Sequence, residues 1–369
     1  MKLEQTNRII IKIGSALLFN ETSGSLNKEW LNSLAEDVKY LRENDKEVII
    51  VSSGAIAMGA KDLDLDMKNM KMDMNQAVSA VGQIHLMGSF KSAFEKNEIK
   101  ISQILLTLDD TEQRRRSINA RRTIDTLLKL GIVPVVNEND TIATSEIRYG
   151  DNDRLASRVA QITSADCLIL LSNINGLYSA DPSTDEDVKL INKVSEIDKD
   201  IEKMIGQSIS DYGKGGMKTK IQAAKTAMLS GCHLAITNGS IMRPVKSLVE
   251  GRPCTWFEQT KTPLAARKQW IAGTMKPVGK IIIDDGAVDA LKKGSSLLPA
   301  GVKSVEGNFE RGDVIEVLSS DQNKIGIGLA GYAAEESIKI MGHKSDEIAN
   351  ILSYSYREEM IHKDDLVLI

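Results

Sequence analysis

Residues 132–140 have the sequence IVPVVNEND, an apolar run that passes directly into amides and carboxylates. Continuous apolar runs of this length are typical of strands in a parallel sheet that is covered by helices on both faces. A second polar segment, GDND, follows at residues 150–153. Because Asn, Asp and Gly are also the usual residues of turns, these two segments alone leave a polar loop and a functional site both open.

The same pattern extends in both directions from this stretch. Short apolar runs alternate with longer amphipathic stretches, which predicts βα units around an open, mainly parallel sheet sandwiched by helices. The predicted strands are 9–13, 48–51, 101–106, 132–136, 167–171 and 234–237, and the predicted helices are 30–44, 77–95, 119–130, 155–162 and 217–230.

The pattern changes after Gly251. Residues 259–267 are polar and contain Pro263, which predicts a connector. Strand patterns then dominate at 280–283, 314–318 and 324–329, with helices predicted at 287–292 and 345–352. We therefore predict an α/β domain over 1–258, a linker over 259–275 and a small β-rich domain over 276–369.

Composition limits the class of protein. The chain has 369 residues with 42% hydrophobic and 27% charged side chains, as in ordinary globular proteins. A net charge of -4 argues against binding nucleic acid over the whole surface. Three widely spaced cysteines, the absence of a signal peptide pattern and the absence of an apolar run of about 18 residues predict a cytoplasmic protein.

Three further segments carry groups suited to phosphate. KIGS at 12–15 puts a lysine at the end of a buried strand, VSSGA at 51–55 passes from strand to helix, and GKGGMKTK at 213–220 combines glycines with lysines before a helix. Helix starts and glycine-rich backbone bind anions through N–H groups. Each segment also has a plainer interpretation, as a lysine reaching solvent, a helix cap or an ordinary flexible loop.

Taken together, the segments favour phosphoryl transfer, which depends on positioning and on neutralisation of charge. Lysines from two loops would lie on either side of the transferred group, while the acidic loop orients them and recruits magnesium. In an open α/β sheet these loops all follow the carboxyl ends of strands, where ligands bind.

The chain resembles the amino acid kinase superfamily. The motifs that carry the resemblance are KIGS at 12–15, SGA at 53–55, NEND at 137–140, GDND at 150–153 and GGMKTK at 215–220. The likeness is greatest to the branch that phosphorylates the side-chain carboxylate of L-glutamate. GSSLLPAG at 294–301 and GNFERGD at 307–313 resemble the PUA domain of that branch.

The resemblance implies transfer of the ATP γ-phosphoryl group to L-glutamate, giving L-glutamyl 5-phosphate for proline biosynthesis. By motif position, Lys12 and Lys220 would neutralise the phosphoryl group, and Asp151 and Asp153 would order lysines and metal. The implied glutamate contacts are Ser53, Asp140 and Asn152, with Asp140 suited to the α-ammonium group.

The resemblance also implies a nucleotide site, cofactors and partners. The nucleotide residues would be Lys12, Ser172, Asn173, Lys214, Gly215, Gly216, Met217, Lys218, Thr219 and Lys220, although Asn173 stands where the family usually has Asp. ATP and Mg2+ are the implied cofactors, and no residue is assigned as a metal ligand. Feedback inhibition by proline and a homo-oligomer, as a dimer or tetramer, are the expected regulation and assembly.

Two alternatives stay open at this stage. One is a related kinase that acts on another carboxylate, a carbamate or a phosphate. The other is RNA binding through the C-terminal domain, because PUA modules bind RNA in other proteins. Basic residues in that domain are mixed with many acids, so the sequence shows no continuous basic stripe.

Overall fold

The computed structural model describes residues 3–19, 26–67, 70–143, 152–180, 182, 188–202, 216–259, 261–274, 277–354 and 357–369. Internal contacts divide the chain into two compact units, Met1–Pro263 and Leu264–Ile369. The finer boundaries at 258 and 275 stay a prediction.

The first unit is built on one eight-stranded sheet. Its strands are β1 (Arg8–Ile13), β2 (Glu47–Val51), β3 (Ile101–Leu106), β4 (Val133–Glu138), β5 (Cys167–Ser172), β6 (Lys193–Val194), β7 (His233–Asn238) and β8 (Cys254–Phe257). They lie in the order β3-β4-β2-β1-β5-β7-β8-β6. All neighbouring pairs are parallel except β7 and β8, which are antiparallel. The predicted fold class is confirmed.

Helices cover both faces of this sheet. They are α1 (Ser15–Leu18), α2 (Lys28–Glu43), α3 (Ala55–Asp62), α4 (Met72–Glu95), α5 (Leu108–Glu112), α6 (Arg114–Lys129), α7 (Asn152–Thr163), α8 (Met217–Leu229) and α9 (Pro244–Val249). Side chains of α2 and α4 join the core on one face, and those of α6, α7 and α8 join the core on the other. Within the ranges given above, no helix is both long and apolar enough to cross a membrane.

The central strand β1 shows how this layering places a functional side chain. Ile9, Ile11 and Ile13 pack into the core with α2 and α4, whereas Ile10 packs into the core with α7 and α8. Side chains alternate between the two faces of a strand. Lys12 therefore belongs to the same face as Ile10, under the helix α7.

The second unit is a smaller, β-rich fold. Helix α10 (Pro263–Thr274) crosses the boundary and is followed by β9 (Gly279–Ile283), α11 (Asp285–Lys292), β10 (Val302–Gly307), β11 (Val314–Ser319), β12 (Lys324–Leu329), α12 (Ala334–Ile340), α13 (Ile348–Leu352) and β13 (Leu366–Leu368). The strand order is β10-β9-β11-β12-β13. Tyr332 and Phe309 are the largest side chains of its core.

Most predicted elements form, and the differences have physical causes. Helix α4 begins at Met72 rather than at residue 77, so its first turn lies before the predicted start. The predicted linker contains α10, which starts at Pro263. Proline is compatible with the first turn of a helix, where its missing N–H has no partner to lose.

Helices α3 and α4 cross at two glycines. A β-carbon at Gly82 would lie 1.9 Å from the carbonyl oxygen of Ala55, and one at Gly59 would lie 1.9 Å from that of Val78. No side chain fits at such distances, so both glycines are required for the backbones to approach. This crossing fixes the position of α4 beside the start of α3.

Adding one methyl group tests that crossing. Gly82→Ala should destabilise the protein by about 1–3 kcal/mol or more, because the new β-carbon meets backbone that cannot move aside. Gly88→Ala on the same helix is the control, since nothing lies within 4 Å of its β-carbon. The control should gain about 0.5–1 kcal/mol from improved helix propensity. Denaturant unfolding of both variants measures the difference, and equal stabilities would contradict the close crossing.

Candidate active site

The sequence motifs meet at one edge of the large sheet. Strands β4, β2, β1 and β5 are neighbours in that order. Their carboxyl ends lead into the NEND, SSGA and KIGS segments and into Ser172-Asn173. This edge is where open α/β sheets bind their ligands.

A buried carboxylate lies between two lysines at this edge. Lys12 Nζ is 2.6 Å from Asp153 Oδ1, and Lys220 Nζ is 3.4 Å from Asp153 Oδ2. Thr219 Oγ1 also donates a hydrogen bond to Asp153 Oδ2, at 3.1 Å. The Asp153 side chain is only 1% exposed. Strand β1 and the first turns of α7 and α8 are therefore joined through a single acidic group.

The charges of Asp153, Lys12 and Lys220 affect one another's pKa values. Burial alone would raise the pKa of Asp153, but the charges of Lys12 and Lys220, with hydrogen bonds from Lys12 and Thr219, hold it below its ordinary value. Burial lowers the pKa of Lys220, while Asp153 acts against this and Lys12 adds to it. Within the described residues, Lys12 and Lys220 both pair with Asp153, and two lysines held close together are suited to the oxygens of a phosphoryl group.

A second cluster of amides and carboxylates begins one residue earlier, at Asn152. Asn152 Nδ2 donates to the Ser52 carbonyl oxygen and to Asn137 Oδ1, the latter at 3.0 Å. Asn137 Nδ2 in turn donates to Gln83 Oε1 at 2.7 Å. These bonds connect the starts of α7 and α3 with the end of β4 and with α4.

Asp140 lies in the segment that follows β4 and is 8% exposed. Ser79 Oγ on α4 donates to Asp140 Oδ2 at 2.5 Å. Burial raises the pKa of Asp140, and the hydrogen bond from Ser79 acts in the opposite direction. Among the described residues, burial and the bond from Ser79 are the influences on the pKa of Asp140, and a positively charged ligand would stabilise the ionised form of such a carboxylate.

The turn from β2 to α3 supplies small side chains and open backbone. Ser53 Oγ donates to the Ile13 carbonyl oxygen at 3.3 Å, which links this turn to the end of β1. Gly54 has φ of 96°, and a β-carbon there would lie 2.4 Å from the Phe19 ring. Only glycine suits both the left-handed backbone and the contact with the ring.

Of the residues predicted for the nucleotide, Ser172 and Asn173 lie at the carboxyl end of β5, and 216–220 form the start of α8. Gly14 N donates to the Leu171 carbonyl oxygen at 3.2 Å, so the KIGS loop lies against the end of β5. Ser172 Oγ donates to Asn173 Oδ1 at 3.3 Å. Gly216 precedes the first turn of α8 with extended backbone, and Lys218 is exposed in that turn. A helix start of this kind offers N–H groups to an anion.

The structure thus brings together Lys12, Asp153, Thr219 and Lys220 as one group. Asn152, Asp140 and Ser53 border a second group that shares the same edge of the sheet. Asp151, Lys214 and Gly215 lie outside the described residues. The individual roles of all these residues stay predictions.

Sequence reasoning missed the contribution of α4. Ser79 and Gln83 are buried polar residues on an otherwise apolar helix face, and they bind Asp140 and Asn137. Their four-residue spacing puts them on one side of a helix, which is a signal that the sequence contained. The plainer interpretation of the VSSGA segment was a helix cap, whereas in the structure the Ser52 carbonyl oxygen accepts a hydrogen bond from Asn152 Nδ2.

This fold and this site define a family. Residues 7–238 match the amino acid kinase family and residues 279–352 match the PUA domain. The chain belongs to the amino acid kinase family.

Particular relatives are similar over the whole chain. Glutamate 5-kinase of Pelagibacter ubique (strain HTCC1062) is 54% identical over 367 residues, covering 100% of both chains. Glutamate 5-kinase of Ruegeria sp. (strain TM1040) is 51% identical over 366 residues, covering 99% of both. The resemblance found in the sequence is confirmed.

A solved structure supports the fold. Carbamate kinase from Giardia lamblia bound to AMP-PNP aligns with a TM-score of 0.50 at 15% identity, covering 69% of this chain and 99% of that one. At this identity the likeness concerns the fold alone.

Removing the charge of Asp153 tests the lysine cluster. Asp153→Asn should abolish most phosphoryl transfer and destabilise the fold by about 3–5 kcal/mol, because two buried cations lose their shared partner. Asp37→Asn is a matched control, since Asp37 is also fully buried and pairs with Arg243 at 2.7 Å, away from this cluster. The control should lose stability while retaining turnover at temperatures where it is folded. Equal turnover in the two variants would contradict the assignment.

Proposed function

We propose that this chain transfers the γ-phosphoryl group of ATP to the side-chain carboxylate of L-glutamate. The product would be L-glutamyl 5-phosphate, the first intermediate of proline biosynthesis. Support comes from family membership and from relatives named glutamate 5-kinase that are 50% or more identical over nearly the full chain.

The observation that carries the proposal is the adjacency of Asn152 and Asp153 in the first turn of α7. Asp153 contacts Lys12 and Lys220, and Asn152 contacts Asn137 and the Ser52 backbone. One turn of helix therefore holds a cationic cluster and an acceptor-rich cluster together. A kinase for an amino acid needs this combination, because the ammonium group and the transferred phosphoryl group bind at opposite ends of a short substrate.

The chemistry follows from these charges. A glutamate carboxylate is ionised at neutral pH, so no general base is needed to activate it. One of its oxygens bonds to the γ-phosphorus while the bond from that phosphorus to the β,γ-bridging oxygen breaks, and ADP leaves. Lys12 and Lys220 would stabilise the negative charge on the phosphoryl oxygens, and Asp153 would hold both lysines in position.

Magnesium enters this proposal with the nucleotide. Within the described residues, no group of three or more His, Cys, Asp or Glu gathers to hold a metal ion. Both oxygens of Asp153 already contact lysine or threonine. Mg2+ is commonly held by substrate phosphates, water and one or two carboxylates, so this donor set fits a magnesium ion carried by ATP.

We also propose feedback inhibition by L-proline and assembly into a homo-oligomer, on the strength of the family likeness. Adding L-proline to the trapping assay described next tests the inhibition. Measuring the mass of the protein in solution tests the assembly.

A trapping assay tests the proposed reaction. The protein incubated with ATP, Mg2+, L-glutamate and hydroxylamine should form glutamyl hydroxamate, because the acyl phosphate reacts with the amine. Omission of Mg2+ should stop the reaction. Aspartate, acetylglutamate and carbamate serve as competing acceptors, and product from one of these but not from glutamate would overturn the substrate assignment.

The pH dependence of glutamate binding tests the role of Asp140. Because burial raises its pKa, Asp140 takes up a proton at a higher pH than an ordinary aspartate and then no longer attracts an ammonium group. As pH falls, the KM for glutamate should therefore begin to rise at a higher pH than it would with an ordinary aspartate, whose pKa is about 3.9. Asp140→Asn should have a high KM that lacks this step. A flat profile in the unaltered protein would contradict the role.

A further inference from the structure

Three polar side chains form a stripe along one side of α4. Gln76, Ser79 and Gln83 are spaced by three and four residues, which places them on one face of the helix. Each makes a hydrogen bond to the segment 137–143, which follows and includes the end of β4. We call these three residues the α4 stripe.

Each hydrogen bond of the α4 stripe has a defined donor and acceptor. Gln76 Nε2 donates to the Ala143 carbonyl oxygen at 3.1 Å, and Ser79 Oγ donates to Asp140 Oδ2 at 2.5 Å. Gln83 Oε1 accepts from Asn137 Nδ2 at 2.7 Å. Ser79 and Gln83 are both buried, at 3% and 8% exposure, so water competes little for these bonds.

A chain of amides runs from Gln83 to the start of α7. Its far end is the Ser52 carbonyl oxygen, which can only accept, so the Asn152 amide must present its NH2 group there. The same NH2 group donates to Asn137 Oδ1, and the Asn137 NH2 group then donates to Gln83 Oε1. In the part of the chain that the structure describes, the Asn152 oxygen takes no part in these bonds, and as an amide oxygen it can accept from an N–H group.

We propose that the α4 stripe consists of positioning residues for the amino-acid end of the substrate, an inference that rests on the proposed function. Ser79 orients the Asp140 carboxylate, and Gln83 accepts the hydrogen bond that holds the Asn137 amide in place against Asn152. Two acceptors, a carboxylate and an amide oxygen, are thereby presented to the α-ammonium group of glutamate. The hydrogen bonds described for the stripe go to residues 137–143, and the ion pairs described for Lys12 and Lys220 go to Asp153, so the stripe acts on glutamate affinity and not on the phosphoryl end.

The close crossing of α3 and α4 at Gly59 and Gly82 is an independent observation that supports this inference. Gly82 lies between Ser79 and Gln83 in sequence, and its contact with the backbone of α3 holds that part of α4 in place. The rigid crossing is thus at the level of the two side chains that reach the substrate segment. Positioning groups are most effective on rigid elements.

Two substitutions test the α4 stripe. Ser79→Ala removes the hydrogen bond to Asp140, and Gln83→Leu removes the acceptor for Asn137. Each should raise the KM for glutamate about tenfold, the effect of losing one buried hydrogen bond to a binding group, with the KM for ATP changed less than about twofold. Ser79→Thr retains the hydroxyl group and should restore most of the affinity.

Ser89→Ala is the matched control for Ser79→Ala. Ser89 lies on the same helix, and its hydroxyl group donates only to the His85 carbonyl oxygen at 2.9 Å. Alanine is the best helix former, so both variants should fold, which thermal unfolding checks. The control should leave both KM values unchanged.

The outcomes separate this inference from the proposed function. Absence of glutamyl hydroxamate with the unaltered protein would overturn the proposed function before any variant is compared. Product from the unaltered protein, with unchanged glutamate KM in both Ser79→Ala and Gln83→Leu, would overturn the α4 stripe alone. Equal increases in the KM for glutamate and ATP, in step with a lower melting temperature, would also overturn it, because they indicate general loss of structure.

Discussion

The buried carboxylate of Asp153 is the interaction on which the rest of the site depends. A charge that is almost completely buried is tolerated only with partners, and Lys12, Lys220 and Thr219 supply them from β1 and α8. The first turn of α7 adds favourable N–H dipoles around the anion. Because one side chain holds three elements, the position of both lysines is set before any ligand arrives. Preorganised charge of this kind is what phosphoryl transfer requires.

The two halves of the site are connected through the backbone of α7. Asn152 and Asp153 are consecutive, so any shift of the helix start moves the acceptor cluster and the lysine cluster together. The acceptor cluster is in turn held by α4, whose contact with α3 at Gly59 and Gly82 leaves no room for adjustment. The acceptor cluster and the lysine cluster are therefore connected through one helix start, and the acceptor cluster is also connected to the crossing of α3 and α4.

Several features could be predicted because they depend on local pattern. The alternation of apolar runs and amphipathic stretches predicted most strands of the large sheet, and the KIGS and NEND motifs predicted polar segments that the structure places at one edge of that sheet. The predicted boundaries of elements were less accurate, since α4 begins five residues before the predicted start at 77. Strand β8 was missed, because four residues with one antiparallel neighbour leave little periodicity to detect.

The sequence by itself determined the fold class, the family and the types of side chain at the site. Those follow from short-range periodicity and from motifs whose order along the chain is preserved. Only the tertiary structure decided that Asp153 pairs with both lysines and that hydrogen bonds join Asn152 through Asn137 to Gln83. Such contacts join residues that are far apart in the chain, and their geometry depends on strand order, helix crossing and burial. The spacing of residues along one segment does not determine strand order, helix crossing or burial.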